Sequence, residues 1–405
     1  MVRKLPRVLV FVDYYLPGFK FGGPVRTLAN MAAQMRPHYE FFIFTADRDE
    51  GDTHPYESVP HDEWISYERA KVYYTRDRSL RNISRQISEI RPDLVYLNSF
   101  FSRVTIKVLL ARRTGRFAGI PVLLAPRGEF ADGALAIKPW RKKAYIWAAN
   151  ALELLGDVTL QASTEFEKVE IERWLTVSLR TARAAPLIAS DLPGKVTHTV
   201  AERLQRIPKE RGLLRAIFLA RISRNKNLDG ALRMIAGVKG RVNLTIAGPV
   251  GDEAYWRECK AIIQQLPENI KVTVAGSVPH DKVAELLSNH GLLLLPTHGE
   301  NFGHSIIEAL TVGCPVLISD RTPWRGLEEA GVGADLPLGQ PEKFTAFMQM
   351  MADLDNHELA LWSARARDYG LSRAQNPELL EQNLRMFWEA IHRTKRHTQA
   401  GILAK

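Results

Sequence analysis

The sequence predicts an α/β protein with two doubly wound parallel sheets, and three observations lead there. Short apolar, β-branched runs alternate with amphipathic segments throughout the 405 residues. That rhythm lapses once, between about 176 and 212, and then restarts. The length also suffices for two cores of ordinary size. Strand alternating with helix is the mark of parallel pairing, because a parallel neighbour needs a crossover long enough to return to the same edge.

The first set of strands is expected at RVLVFVD (7–13), EFFIFTA (40–46), LVYLN (94–98), PVLLAP (121–126) and VTLQAS (158–163). Helices are expected between them at VRTLANMAAQM (25–35), LRNISRQISEI (80–90) and TEFEKVEIERWL (164–175). After the lapse come RAIFLAR (215–221), VNLTIAG (242–248), IKVTVAG (270–276), LLLLPT (292–297) and PVLISD (315–320). A final amphipathic segment, ELLEQNLRMFWEAIHRT (378–394), follows the second sheet and is expected to pack back on the first. The domains are therefore drawn as 1–190, 191–376 and a returning helix, 377–405. Ligands of such sheets bind outside the carboxyl ends of the strands, so the loops there are the places to look for chemistry.

Composition excludes several classes. Apolar content of 45% and charged content of 25% are globular averages. No apolar run reaches the roughly 18 to 20 residues of a membrane span. The opening MVRKLPRVLVFVDYYLPG has a basic head, but Asp13 cuts its apolar run and no small-residue cleavage site follows, so an internal strand is expected. Two cysteines, Cys259 and Cys314, are too few for a disulfide framework; buried thiols in a reducing, cytoplasmic compartment are expected.

The net charge of +10 is unevenly placed: residues 101–150 hold 10 Lys and Arg against 2 acidic residues. Within that stretch Trp140 and Trp147 interleave with Lys138, Arg141, Lys142 and Lys143. Two readings stand for this segment. It is a basic helix that meets an anionic membrane or a phosphorylated acceptor, or a solvated helix whose tryptophans lie in the core. Nucleic acid is not expected as a partner, since no zinc-finger spacing, RNP-like segment or helix-turn-helix is present.

Three stretches carry candidate chemistry. In FGGPVRTLANM (21–31), Gly22 and Gly23 let a backbone approach a ligand, and the helix starting near Pro24 offers free amides to an anion; a plain strand-to-helix turn is the alternative. In FLARISRNKNLDGAL (218–232), Arg221 and Lys226 lie five apart at a strand's carboxyl end and can bracket a diphosphate, or be ordinary surface charges. Asn227 and Asp229 read as capping residues of the next helix. In HGENFGHSIIEAL (298–310), Glu300 stands on a loop, Phe302, Gly303 and His304 mark a helix start that favours an anion, and Glu308 lies about one turn into the helix. A carboxylate such as Glu308 accepts two hydroxyls, as a ribose diol offers.

Glu300, seven residues and then Glu308, between a buried strand and a G-x-P-V strand, resembles the E-x7-E signature of retaining GT-B glycosyltransferases of family 4. The Arg221…Lys226 pair and the GG loop fall where that family has them, so the resemblance spans nearly the whole chain. It implies a GT-B fold of two facing Rossmann-like domains, an acceptor domain first and a nucleotide-sugar domain second. It implies that Arg221 and Lys226 clamp the donor diphosphate, that Glu308 holds the ribose, and that Glu300 and the 302–304 amides address the sugar. The reaction implied is transfer of a sugar from a UDP- or GDP-linked donor to a glycan or lipid-linked acceptor in surface polysaccharide or glycolipid synthesis. Retention of configuration by front-face attack is implied with it.

No cofactor beyond the donor is implied; no metal-binding D-x-D is read at a strand end anywhere in the sequence, which agrees with a metal-independent reaction, and no metal is expected. LAPRGEFADGALAIKPWRKK (124–143) resembles a segment that members of the family carry near the acceptor, which implies that Arg127, Glu129 and Asp132 face the cleft there, with Arg127 and Glu129 as candidate catalytic residues beside Glu300. Arg127-Gly128 replaces a histidine found in many relatives. The plain alternative is a turn held by an Arg127–Glu129 ion pair. Glu165 is read as a helix first-turn carboxylate or a ligand contact. A non-catalytic scaffold subunit and a nucleotide-sugar epimerase are the alternatives to a transferase. A dehydrogenase is disfavoured because G-x-G-x-x-G is missing.

Overall fold

The computed structural model describes residues 4–136, 138–175, 185–194 and 207–403, apart from the side chains of Asp132 and of residues beyond 393. The chain divides into two compact units, Met1–Leu192 with Pro377–Lys405, and Pro193–Asn376. The boundary falls two residues beyond the one drawn from sequence. The lapse in pattern lies partly outside the described residues (176–184 and 195–206); PLIAS (186–190) inside it contains the short strand β8 (Leu187–Ile188).

In the first unit an eight-stranded sheet runs in the order β3-β4-β2-β1-β5-β6-β7-β8. Its strands β1 (Arg7–Phe11), β2 (Glu40–Ala46), β5 (Leu94–Asn98), β6 (Val122–Ala125) and β7 (Val158–Ala162) sit within the predicted runs and pair in parallel. β3 (Trp64–Tyr67) and β4 (Ala70–Thr75) form an antiparallel hairpin that the helix-and-strand rhythm does not anticipate. A two-residue turn joins them with Glu68 in the left-handed region (φ 53°), a turn whose sense matches strand twist. Both faces of the sheet are buried, which is why its strands read as unbroken apolar runs.

The last helix, α13 (Pro377–Leu403), is part of this unit. Met386, Phe387, Ala390 and Ile391 enter its core, and the Phe387 ring lies 5.3 Å from both Tyr39 and Tyr96. Their spacing of one, three and four residues is a helical stripe.

The second unit holds a six-stranded parallel sheet in the order β11-β10-β9-β12-β13-β14. Its members are β9 (Leu213–Leu219), β10 (Arg241–Ala247), β11 (Ile270–Gly276), β12 (Leu292–Leu295), β13 (Val316–Ser319) and β14 (Gly333–Leu336). Leu292 to Leu295 are fully buried, and Cys259 and Cys314 are buried free thiols in the same core. Among the described residues no helix is long and apolar enough to cross a membrane.

Among the parallel strands of each sheet, chain order reverses direction at one place: β1 beside β5 in the first unit, and β9 beside β12 in the second. Loops leaving such neighbouring strands diverge to opposite faces, and the crevice left between them is where doubly wound sheets bind ligands.

Candidate functional site

In the second unit the reversal brings together two loops, 220–227 after β9 and 296–303 after β12. Side chain to backbone hydrogen bonds stitch them. Asn225 Nδ2 donates to the Gly299 carbonyl (3.1 Å), Thr297 Oγ1 to the Asn225 carbonyl (2.9 Å), and Asn227 Nδ2 to the Pro296 carbonyl (2.8 Å). Asn227 holds the N-cap position expected from sequence, at φ 59°, but its side chain makes no cap hydrogen bond. Its amide is drawn instead to a strand-end carbonyl that has no ladder partner. Gly230 is required beside it, since any Cβ there would collide with the Asn227 side chain. Asp229 does not cap either; it accepts from Tyr255 Oη (2.6 Å) and pairs with Arg233.

The stitched loops bring Lys226 Nζ to Glu300 Oε2 at 2.5 Å, with side chains 21% and 17% exposed. Two of the residues singled out in the sequence therefore meet. Lys226 ends a short 3-10 turn (Arg224–Lys226), and the Glu300 amide donates to the Arg321 carbonyl (3.1 Å). Arg221, two residues past β9, runs its stem over Gly251, where a Cβ would stand 2.6 Å from Arg221 Cδ.

Gly303 precedes the helix α10 (His304–Thr311) in the left-handed region, at φ 84° and ψ 61°. A Cβ there would also lie 2.8 Å from Ile306 Cδ1 and 3.1 Å from Trp324 Nε1, so glycine is dictated by both conformation and space. The Phe302 carbonyl accepts from Trp324 Nε1 (2.6 Å), and the Phe302 ring lies 4.8 Å from that of His304. Glu308 turns toward His280 Nδ1 at 3.7 Å and remains partly exposed. Trp324 and His280 escaped the sequence reading because each reaches the site from a different loop or helix, and no local pattern marks either. A cavity of about 260 Å3 lies at the opposite, amino edge of this sheet, beside Leu214 and Gly291, and contains none of these groups.

The first unit has its own cluster at strand carboxyl ends. Gly22 (φ 77°) precedes the helix α1 (Gly23–Met35); among the described residues no neighbour lies within 4 Å of a hypothetical Cβ there, and Gly23 is exposed. Arg127 is enclosed: it is ion-paired with Asp191, donates to Asn98 Oδ1 (3.1 Å) and Tyr96 Oη (2.7 Å), and only 7% of its side chain is exposed. The Arg127–Glu129 pair expected as the plain alternative does not form; Arg127 chooses Asp191, 64 positions away.

Glu129 accepts instead from Ser99 Oγ (2.5 Å) and the amides of Phe100 (2.6 Å) and Phe101 (3.2 Å). Burial raises its pKa to about 7 against those donors. Asp132 opens a short helix, Asp132–Leu135, but its side chain is outside the described set.

Glu165 is an exposed first-turn residue of the helix α6 (Glu165–Trp174), 3.4 Å from Lys168. Its buried neighbour Glu167, which the sequence reading passed over, binds the amides of Gly128 (2.6 Å) and Ser163 (2.7 Å) and so fixes the Arg127 turn. Asp13, just past β1 at the reversal, was also missed. It accepts from Ser102 Oγ (3.0 Å) and Arg78 Nη1 (3.1 Å), and burial raises its pKa.

A D-x-D does stand at a strand end, contrary to the sequence reading: Asp47-Arg48-Asp49 follows β2. Its carboxylates are engaged locally, Asp47 with Arg48 and Asp49 with the amides of Phe19 (2.7 Å) and Lys20 (3.0 Å). Among the described residues no group of three or more His, Cys, Asp or Glu is placed to hold a metal.

Residues 201–347 match the family model described as glycosyl transferases group 1. A curated relative, an uncharacterised 41.2 kDa protein in the cps region of Klebsiella pneumoniae, is 20% identical over 304 residues, which are 73% of this chain and 78% of that one. The crystal structure of Anabaena HepE with UDP and glucose aligns at TM-score 0.66 and 15% identity, covering 95% of this chain and all of that one. Sucrose-phosphate synthase from Thermosynechococcus elongatus aligns at TM-score 0.62 and 16% identity, covering 99% and 100%. The fold is GT-B.

Proposed function

We propose that this chain, a GT-B protein whose second unit matches the glycosyl transferases group 1, is a retaining transferase. It moves a hexose-type sugar from a UDP- or GDP-linked donor to a glycan or lipid-linked acceptor in surface polysaccharide synthesis. The observation that carries the reading is the Lys226–Glu300 pair, held at the β9/β12 reversal beside a glycine-opened helix start. HepE binds UDP and glucose, and a relative lies in a cps region; both accord with the donor and pathway chosen.

Breaking a bond to a nucleoside diphosphate builds negative charge on the departing phosphates, and that charge is what the protein must stabilise. A diphosphate competes with Glu300 for the Lys226 ammonium, while Arg221 offers a planar fork and the amides of α10 offer the positive end of a helix dipole. Glu300, released, accepts hydroxyls of the sugar, and Glu308 accepts the ribose diol. With the phosphates held on one face of the sugar, the acceptor hydroxyl enters from that same face and passes its proton to the leaving phosphate oxygen. Configuration is thereby retained. The reading uses no resident metal or cofactor. Buried free thiols suit the reducing cytoplasm assigned to the protein in this reading.

Thermal unfolding across a panel of UDP- and GDP-sugars tests it, because a ligand of the native state raises Tm. One donor is expected to shift wild type and to be turned over with acceptor, while Glu308→Ala loses both responses. No shift with any donor, or an unchanged Glu308→Ala variant, would sink the assignment.

A further inference from the structure

The helix α5 (Pro139–Ala151) in the first unit turns two tryptophans to solvent: Trp140 is 69% exposed and Trp147 73%. Its core-facing side is complete without them, since Ile146 and Ala149 are buried in the sheet's apolar cluster and the Tyr145 ring packs 4.8 Å from that of Phe100. Lys142, on that inner side, donates to the Ala134 carbonyl at 2.7 Å. The helix is thus fixed to the unit by one face and carries a second apolar face outward. Trp140, Ala144, Trp147 and Ala151, spaced by four, three and four residues, share that outer face, and all four are exposed. The tryptophans-in-the-core reading is overturned: both rings face solvent, and Tyr145, Ile146 and Ala149 occupy the inner face.

Cations collar the outer face. Arg141 and Lys143 flank the stripe and are exposed, Arg141 lying 4.9 Å from the Trp140 ring. At the far end Leu152 is 49% exposed, and its carbonyl accepts from Arg113 Nε (2.9 Å). Lys138 precedes the helix. No acidic residue lies within the helix; Glu153, two positions past its end, is the nearest acid in sequence on that side.

We propose that this face docks the protein on an anionic lipid bilayer, with α5 lying in the interface plane and both tryptophans at headgroup depth. Tryptophan favours that depth because its ring is apolar and its N–H still finds partners there. Long basic side chains bury their stems and keep their charge among the headgroups. A protein partner is the weaker fit, because lysine is depleted from protein interfaces and this stripe has lysine on its rim and before it. The inference is independent of the transferase reading, and its test uses neither donor nor acceptor.

The full chain is sedimented with vesicles of phosphatidylcholine alone and with about one-third phosphatidylglycerol. Salt is set at about 0.01 M and about 1 M, where the Debye length shrinks from roughly 30 Å to 3 Å. Binding to the anionic vesicles alone, strongest at low salt, is expected. Trp140→Ala/Trp147→Ala should weaken it about tenfold or more, and Arg141→Glu/Lys143→Glu should abolish it. All four positions are exposed, so thermal unfolding of both variants should match wild type. No binding at low salt, or binding that survives both variants, overturns the proposal. So does a concentration-dependent dimer that the tryptophan variant dissolves, which would make the face an interface between copies of the chain.

Discussion

Both units carry a cation–carboxylate pair at the carboxyl ends of their strands, and the two pairs are built for different tasks. Arg127 and Asp191 are 7% and 6% exposed, and the guanidinium fork is held further by Tyr96 and Asn98. Lys226 and Glu300 are 21% and 17% exposed, and among the described residues the Lys226 ammonium donates to Glu300 alone. A rigid fork with several fixed partners orders a turn, whereas a single ammonium on a flexible stem can exchange its carboxylate for a phosphate. Position at a strand end is therefore not enough to make a charged residue part of a reaction. What matters is whether its partners leave it exchangeable.

The largest expected effect lies in the buried pair. Arg127→Ala leaves Asp191 buried without its counter-charge and should cost about 3–5 kcal/mol in denaturant unfolding. Loss of only a few tenths would make the two pairs alike and erase the contrast. Lys226→Ala should behave oppositely, lowering turnover about 10²–10³-fold while changing unfolding by only ~1 kcal/mol. Steady-state kinetics beside the melting curve read out both.

Glu129 sharpens the same contrast through pH. Its folded-state pKa of about 7 lies above the ordinary 4.5, so the folded protein keeps a proton that the unfolded chain releases. This contribution is full below pH 4.5 and is lost as pH rises through about 7, a fall of about 3–4 kcal/mol at 1.36 kcal/mol per pH unit. Glu129→Gln should flatten that segment of the stability profile, and an unchanged slope would assign it to another group. The smallest effect is expected at the second unit's helix start. Gly303→Ala should lower stability by about 1–2 kcal/mol, the cost of a left-handed alanine, and weaken donor binding by displacing Trp324.

The strands flanking both candidate sites were legible because buried parallel strands are unbroken apolar runs, and LLLL at 292–295 can hardly be anything else. Loops at strand ends followed directly, and with them the placement of Arg221, Lys226, Glu300 and Glu308. The hairpin Trp64–Tyr67/Ala70–Thr75 was not legible, since a short edge strand lacks the length and the flanking helix that mark its neighbours. Nor were the roles of Asp13, Glu167, His280 and Trp324, whose local sequence is that of ordinary turns and helix starts.

By itself, then, the sequence determined which segments are strands and helices and which loops leave the carboxyl ends, because periodicity and burial are local properties. Tertiary structure alone decided the pairing. Lys226 meets Glu300 across 74 positions and Arg127 meets Asp191 across 64, through strand order rather than sequence proximity. It also decided that α5 turns its tryptophans outward: a helix with two apolar stripes fits a core by either, and only the packed sheet beneath selects between them.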